Sequence, residues 1–172
     1  MTLELSRPML VDRVPSDGYA ITVTATKAEC AALAVRMGLP AIRSVTCAFR
    51  LKRETDTKVF AEGRLRARVT QTCVVSMEDF PAVVLDEFRV RFVPAGEESD
   101  DEDPESDDEI GYEGNAIDLG EATAEQLGLA LEPYPRKPDA ALPEADAAPD
   151  APAEPDAKPN PFAVLAALRK PR

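Results

Sequence analysis

The chain has 172 residues, 20 basic and 32 acidic, for a formal net charge of −12, with 16 prolines and neither Trp nor His. The lack of His removes the commonest general base and zinc ligand, and with them Ser/His/Asp catalysis, Cys/His catalysis and His-type zinc sites. No apolar run reaches the ~18–20 residues that a bilayer span needs and no charged-then-apolar leader opens the sequence, so a soluble cytoplasmic protein with no membrane association is expected.

The acidity is not evenly spread. Residues 1–93 hold 14 Lys/Arg against 11 Asp/Glu, whereas residues 94–172 hold 6 against 21. A mildly basic block therefore carries an acidic appendage. Cys30, Cys47 and Cys73 are odd in number and widely spaced, with no Cys-x-x-Cys pair. They fit no disulfide framework and no metal site, and read as reduced packing thiols, Cys73 included. No cofactor is implied.

Residues 18–25, Gly-Tyr-Ala-Ile-Thr-Val-Thr-Ala, are β-branched and alternating, the pattern of a strand. Thr26 and Glu29 have the spacing of a capping box, in which each side chain satisfies the other's free backbone donor. A helix should run from Lys27 to about Met37, stopped by Gly38 and Pro40. From Ile42 to Arg53, Val45, Cys47, Phe49 and Leu51 take one face and Arg50 and Lys52 the other. After the polar turn 54–57, Val59, Ala61, Leu65, Ala67, Val69 and Cys73 share one parity and Arg64, Arg66 and Arg68 the other. The two runs predict a long antiparallel hairpin, with Gly63 marking a bulge or a close backbone approach. A third run after Pro81 sets Val84, Phe88, Val90 and Phe92 against Arg89 and Arg91. The expected fold class is α+β: an antiparallel sheet with a few packed helices.

Ten of the thirteen residues from Glu97 to Glu109 are acidic. Such a block repels itself and buries little, so 97–114 is expected to be a disordered acidic insertion, with order returning at Ile117. Asp118 and Glu121 have N-cap and N3 spacing for a helix ending before Pro133. Residues 133–138 follow as a stiff extended segment, and 139–159, almost wholly Ala, Pro, Asp and Glu, as a linker. Asn160-Pro161 opens a short C-terminal amphipathic helix over 160–172, with Phe162, Val164, Leu165 and Leu168 along one side. Too short to be stable alone, it docks on the domain or on a partner through Phe162, Leu165 and Leu168. The division is thus a domain over 1–138, a linker over 139–159 and a terminal helix over 160–172.

If the strands pair as read, Arg50, Lys52, Arg64, Arg66, Arg68, Arg89 and Arg91 project from one face, diluted only by Glu62 and Glu87. Such a face binds phosphate backbones by charge neutralisation and counterion release, and Arg offers a planar fork suited to phosphate. The competing reading is a solvated sheet face with cross-strand ion pairs. Phe60 is the one aromatic among these residues, fewer than RNA-binding sheets usually show. The acidic run lacks the spacing and turn glycine of a calcium loop. It reads as a solvating loop, or as a polyanion mimic that competes for the basic face. Without a glycine-rich phosphate loop or a nucleophile elbow, an enzyme is the weaker expectation.

Gly63-x-Leu65-x-Ala67-x-Val69-x-Gln71-Thr72-Cys73-Val74-Val75-x-x-Glu78, followed by Phe88-x-Val90-x-Phe92, resembles the YceD family. So do Ile117-Asp118-Leu119-Gly120-Glu121, Glu125-Gln126-Leu127, Leu129-Ala130-Leu131 and Pro133-Tyr134-Pro135-Arg136-Lys137-Pro138, in the form seen in alphaproteobacteria. Asn160-Pro161-Phe162-Ala163-Val164-Leu165-x-x-Leu168 is similar to the motif that closes many members. The resemblance implies a non-enzymatic ribosome biogenesis factor that supports accumulation or processing of large-subunit (23S) rRNA, and it carries over no catalytic residue. Many members have further cysteines near Cys73 and near 133–138; here Cys73 stands alone. The implied partners are rRNA or a pre-ribosomal large-subunit particle. The alternative is an acidic adaptor or chaperone for a basic large-subunit ribosomal protein, for which the acidic segments would be the working surface.

Overall fold

The computed structural model of the protein describes residues 3–98 and 107–140. In chain order the elements are β1 (Pro8–Leu10), a 3-10 turn (Val11–Arg13), β2 (Tyr19–Thr24), α1 (Lys27–Arg36), β3 (Ala41–Arg53), β4 (Val59–Thr72), β5 (Asp79–Pro94), β6 (Asp108–Tyr112), β7 (Ala116–Asp118) and α2 (Leu119–Ala130). Five strands form one sheet in the order β2-β3-β4-β5-β6, and β1 pairs with β7 in a two-stranded sheet. The class is α+β, as expected from the alternating runs and the two capped helices.

The register of the large sheet follows from alternation of small and branched residues with charged ones. Val45 pairs with Ala67, Cys47 with Leu65 and Leu51 with Ala61, all buried on the inner face. Central β4 buries every second residue from Val59 to Gln71. A slip by one residue would send Arg64, Arg66 and Arg68 into the core, so the pattern admits one register. Gly63 sits in the middle of β4, opposite Phe49 on one side and Phe88 on the other. Those two rings meet across it edge to face, with centroids 5.8 Å apart and an interplanar angle of 79°.

Both helices cover the inner face and start as their caps dictate. Thr26 accepts from the Glu29 N–H and the Glu29 carboxylate accepts from the Thr26 N–H, closing the capping box of α1. The helix buries Cys30, Leu33 and Ala34 and is followed by Gly38 at φ 64°. Asp118 caps α2 by accepting from the N–H groups of Gly120 and Glu121. Burial holds the Cys47 thiol up at about 12, the protonated packing state expected of it.

The N-terminal segment, which shows no periodicity in sequence, straps the helices together. Its Arg7 N–H donates to Asp118 at 2.7 Å and its guanidinium forks onto Glu29 at 2.8 and 3.0 Å. A Cβ on Gly120 would lie 2.8 Å from the Leu5 carbonyl oxygen, so glycine is what lets the strap pass. Arg36 then ties α1 to α2 through Glu121 at 2.7 Å and to the strap through Glu4 at 3.1 Å.

Two features differ from expectation. The third long strand begins at Asp79, before Pro81, and residues 107–114, read as part of a disordered acidic insertion over 97–114, include a strand. Residues 108–112 form β6, and it runs parallel to β5, making the sheet mixed rather than wholly antiparallel. Ile110 and Tyr112 supply the covered face of this strand, Tyr112 donating to the Thr57 carbonyl at 2.6 Å, while the charge of Asp107 is met by arginine. The acidic connection supplies the length that a parallel return requires. The terminal helix, with Phe162, Leu165 and Leu168, and nearly all of the linker lie outside the described residues.

Candidate nucleic-acid interface

The outer face of the large sheet is read row by row from the register. One row runs Ala20, Arg50, Glu62, Arg89; the next Thr22, Ala48, Arg64, Glu87; the next Thr24, Thr46, Arg66, Leu85; and then Ser44, Arg68, Val83. Lys52, Phe60 and Arg91 form the row at the opposite end. All seven basic residues expected on this side do share it. They are not equally available.

Toward the β6 end the arginines are partly neutralised. Arg91 lies between Glu54 at 2.9 Å and Asp107 at 3.1 Å, and its side chain is only 26% exposed. The hydrogen bond that Arg91 donates to the Glu54 carboxylate is the first cause of its raised pKa. Arg89 approaches Asp107 at 3.8 Å and also faces Glu62 across the strands. Arg64 pairs with Glu87 at 3.2 Å, but both side chains are more than three-quarters exposed, so the pair opens to a competing phosphate at little cost. Two shallow depressions of about 240 and 210 Å³ flank Glu62, one reaching Arg64 and Arg89, the other Arg50 and Arg64. Each is lined by charges of both signs.

The other end is of one sign. Arg66 stands opposite Thr46 and Leu85, and Arg68 opposite Ser44 and Val83. Among the described residues no carboxylate forms an ion pair with either. Arg43 joins them, although strict alternation assigns it to the core. A register shift between Ile42 and Ser44 turns Arg43 and Ser44 both outward. That bulge has no glycine or proline to announce it; the only sequence signal is the change of parity between Ile42 and Val45.

Cys73 lies at the end of β4 with no exposed surface. Its sulfur accepts from the backbone N–H of Ser76 at 3.5 Å and of Lys137 at 3.4 Å. These bonds, with the Val74 N–H donating to the Pro135 carbonyl at 3.0 Å, moor the 133–138 segment to the 73–78 turn. Hydrogen bonds from Ser76 and Lys137 outweigh the opposing desolvation and lower the thiol to about 6. A single sulfur is one ligand of the four that a structural zinc takes.

The fold and this face define a small α+β protein that presents arginine on one sheet surface. A family model described as "Large ribosomal RNA subunit accumulation protein YceD" matches residues 61–169, and the chain belongs to the YceD family. The matched span takes in β4, β5 and α2 and so most of the arginine rows. No curated protein and no solved structure matches the chain. Among the described residues no helix is long and apolar enough to cross a membrane.

Proposed function

We propose that this chain is a cytoplasmic, non-enzymatic ribosome biogenesis factor that supports accumulation and processing of 23S rRNA by binding the RNA backbone across its outer sheet face. The observation that carries this reading is the row order. Arg66 and Arg68 are exposed, adjacent on one strand face and free of carboxylate partners among the described residues, with Arg43 at the neighbouring bulge. The family name supplies the link to large-subunit rRNA. Guanidinium groups at strand spacing follow a phosphate chain without reading base edges, so binding is predicted to be salt-sensitive and weakly dependent on sequence.

Crosslinking in cells followed by pulldown, with and without RNase, tests it. Recovery of large-subunit rRNA crosslinked to β3 and β4 is expected. Association with a basic ribosomal protein that survives RNase, with no RNA crosslink on the sheet, would replace this reading by the adaptor.

A further inference from the structure

The carboxylate-free end of the outer face differs from strand to strand, and the register divides it into three columns. Ser44 and Thr46 on β3 supply hydroxyls, with Thr24 beside Thr46 on β2. Arg66 and Arg68 on β4 supply the charge. Pro81, Val83 and Leu85 on β5 form an apolar column, in which Val83 stands beside Arg68 and Leu85 beside Arg66. Val83 and Leu85 are 57% and 70% exposed, so two aliphatic side chains meet water one strand away from the two arginines. At its other end β5 carries Glu87, Arg89 and Arg91 on the same face. The face therefore turns apolar on β5 just where the arginines of β4 have no carboxylate partner among the described residues. A depression of about 290 Å³ adjoins the column, lined by Val83, Leu85, Phe80 and Pro135 together with Glu132 and Arg136.

We propose that this end of the face selects single-stranded RNA and holds it one way round, with phosphates on Arg66 and Arg68 and bases laid toward β5 over Val83 and Leu85. The inference rests on the rRNA reading above and adds to it the strand state and the side that the bases take. Arg66 and Arg68 are alternate residues of β4, ~7 Å apart along the strand, a step that one nucleotide of an extended chain spans. β5 lies ~5 Å to one side, within reach of a base whose phosphate sits on β4. β3 lies as far to the other side, where Ser44 and Thr46 offer hydroxyls to phosphate or ribose and no apolar surface. The faces of bases are apolar and open only where the strand is unpaired. In a duplex they are stacked inside, and an A-form helix would set its backbone and 2′-hydroxyls against Val83 and Leu85. A duplex thus keeps the charge attraction and gains nothing from the aliphatic column. Aliphatic side chains present no hydrogen-bonding pattern, so they accept any base, in keeping with weak dependence on sequence. An apolar peptide laid on the same column would have to desolvate Arg66 and Arg68 without pairing them, which is costly.

Fluorescence anisotropy of the full chain tests this with a single-stranded rRNA fragment, the same strand made abasic, and its duplex. The two single strands carry equal charge, so the difference between them reads the bases alone. The wild type is expected to bind the base-bearing strand at least about fivefold more tightly than the abasic one. Val83→Thr/Leu85→Thr keeps strand-forming residues on an exposed face and should fold as the wild type does, with circular dichroism as the check. It is expected to bring the two single strands within about twofold of each other while affinity for the abasic strand and the duplex is unchanged. Leu85→Tyr is expected to tighten the base-bearing strand alone, because a ring stacks on a base better than an aliphatic chain does. Equal wild-type affinity for the base-bearing and abasic strands overturns the inference, as does a difference that the Thr pair leaves intact. So does a Thr pair that loses a protein partner and no RNA affinity. In each of these cases, salt-sensitive binding that is weakened by Arg64→Glu/Arg66→Glu/Arg68→Glu leaves the rRNA reading standing. A chain that binds none of the three ligands overturns both.

Discussion

The ring of Phe88 occupies the space that a side chain on Gly63 would fill. A Cβ built on Gly63 would overlap Phe88 Cζ. The glycine lets two aromatic rings from β3 and β5 close over the middle strand, beneath the rows that carry Arg64 and Glu62. The interior aromatic contact and the exterior charge pattern are thus set by the same register.

Gly63→Ala is expected to destabilise the fold by about 1–3 kcal/mol, the usual cost of overpacking, because the Phe88 ring must leave its position against Phe49. In a Phe88→Leu background the same substitution should cost less. A double-mutant cycle by urea denaturation measures the difference, and equal costs in both backgrounds would contradict the contact.

The strap has an acid limit. Glu29 is held at about 2, first by the hydrogen bond from Arg7 and then by the Thr26 N–H, against 4.5 for the free side chain. Its folded value is depressed, so the stability it contributes is fully present above about 4.5 and is lost as pH falls toward about 2. Glu29→Gln should cost on the order of 1 kcal/mol near neutral pH and flatten the decline of the urea midpoint through that window.

Cys73 acts in the same sense at higher pH. With its thiol lowered to about 6 from 9.0, its contribution is fully present above about 9 and is lost as pH falls through about 6. Cys73→Ser keeps the turn but removes the ionisation. The stability of the wild type relative to this variant should rise between those limits, and an unchanged difference would mean that the sulfur stays protonated.

Asp107 pairs with Arg89 and Arg91, and on the proposed function it would compete with RNA for them. Asp107→Asn is expected to tighten RNA binding about two- to fivefold at low salt, the range of exposed ion pairs, with the gain fading as salt rises. Fluorescence anisotropy with a single-stranded rRNA fragment gives the comparison. A loss of affinity would place the carboxylate on the RNA-binding side.

The parts of this molecule that were legible in sequence are those held by local chemistry. Thr26 with Glu29, and Asp118, announce helix starts because the cap is written within three residues of the helix. The β3–β4 hairpin is legible because one face is buried along its whole length. The strands β1 and β7 were not, since three residues show no period and their pairing joins distant parts of the chain. β6 was hidden by its carboxylates, whose cost is offset by Arg91, a residue of another strand. Arg43 was missed because a bulge changes parity without changing composition. The seven basic positions were placed on the correct face, but their inequality depends on Glu54 and Asp107, which only the three-dimensional arrangement brings to Arg91.

The salt dependence of RNA binding by Arg64→Glu/Arg66→Glu/Arg68→Glu, set beside that of the wild type, tests the central claim most directly. These side chains lie on the exposed face of β4, so the variant should fold as the wild type does. Each lost phosphate contact removes ~0.7 from the slope of log affinity against log salt for a single strand. The account predicts at least about tenfold weaker binding at low salt and a slope shallower by roughly 2. A folded variant that binds with the affinity and salt slope of the wild type would contradict it.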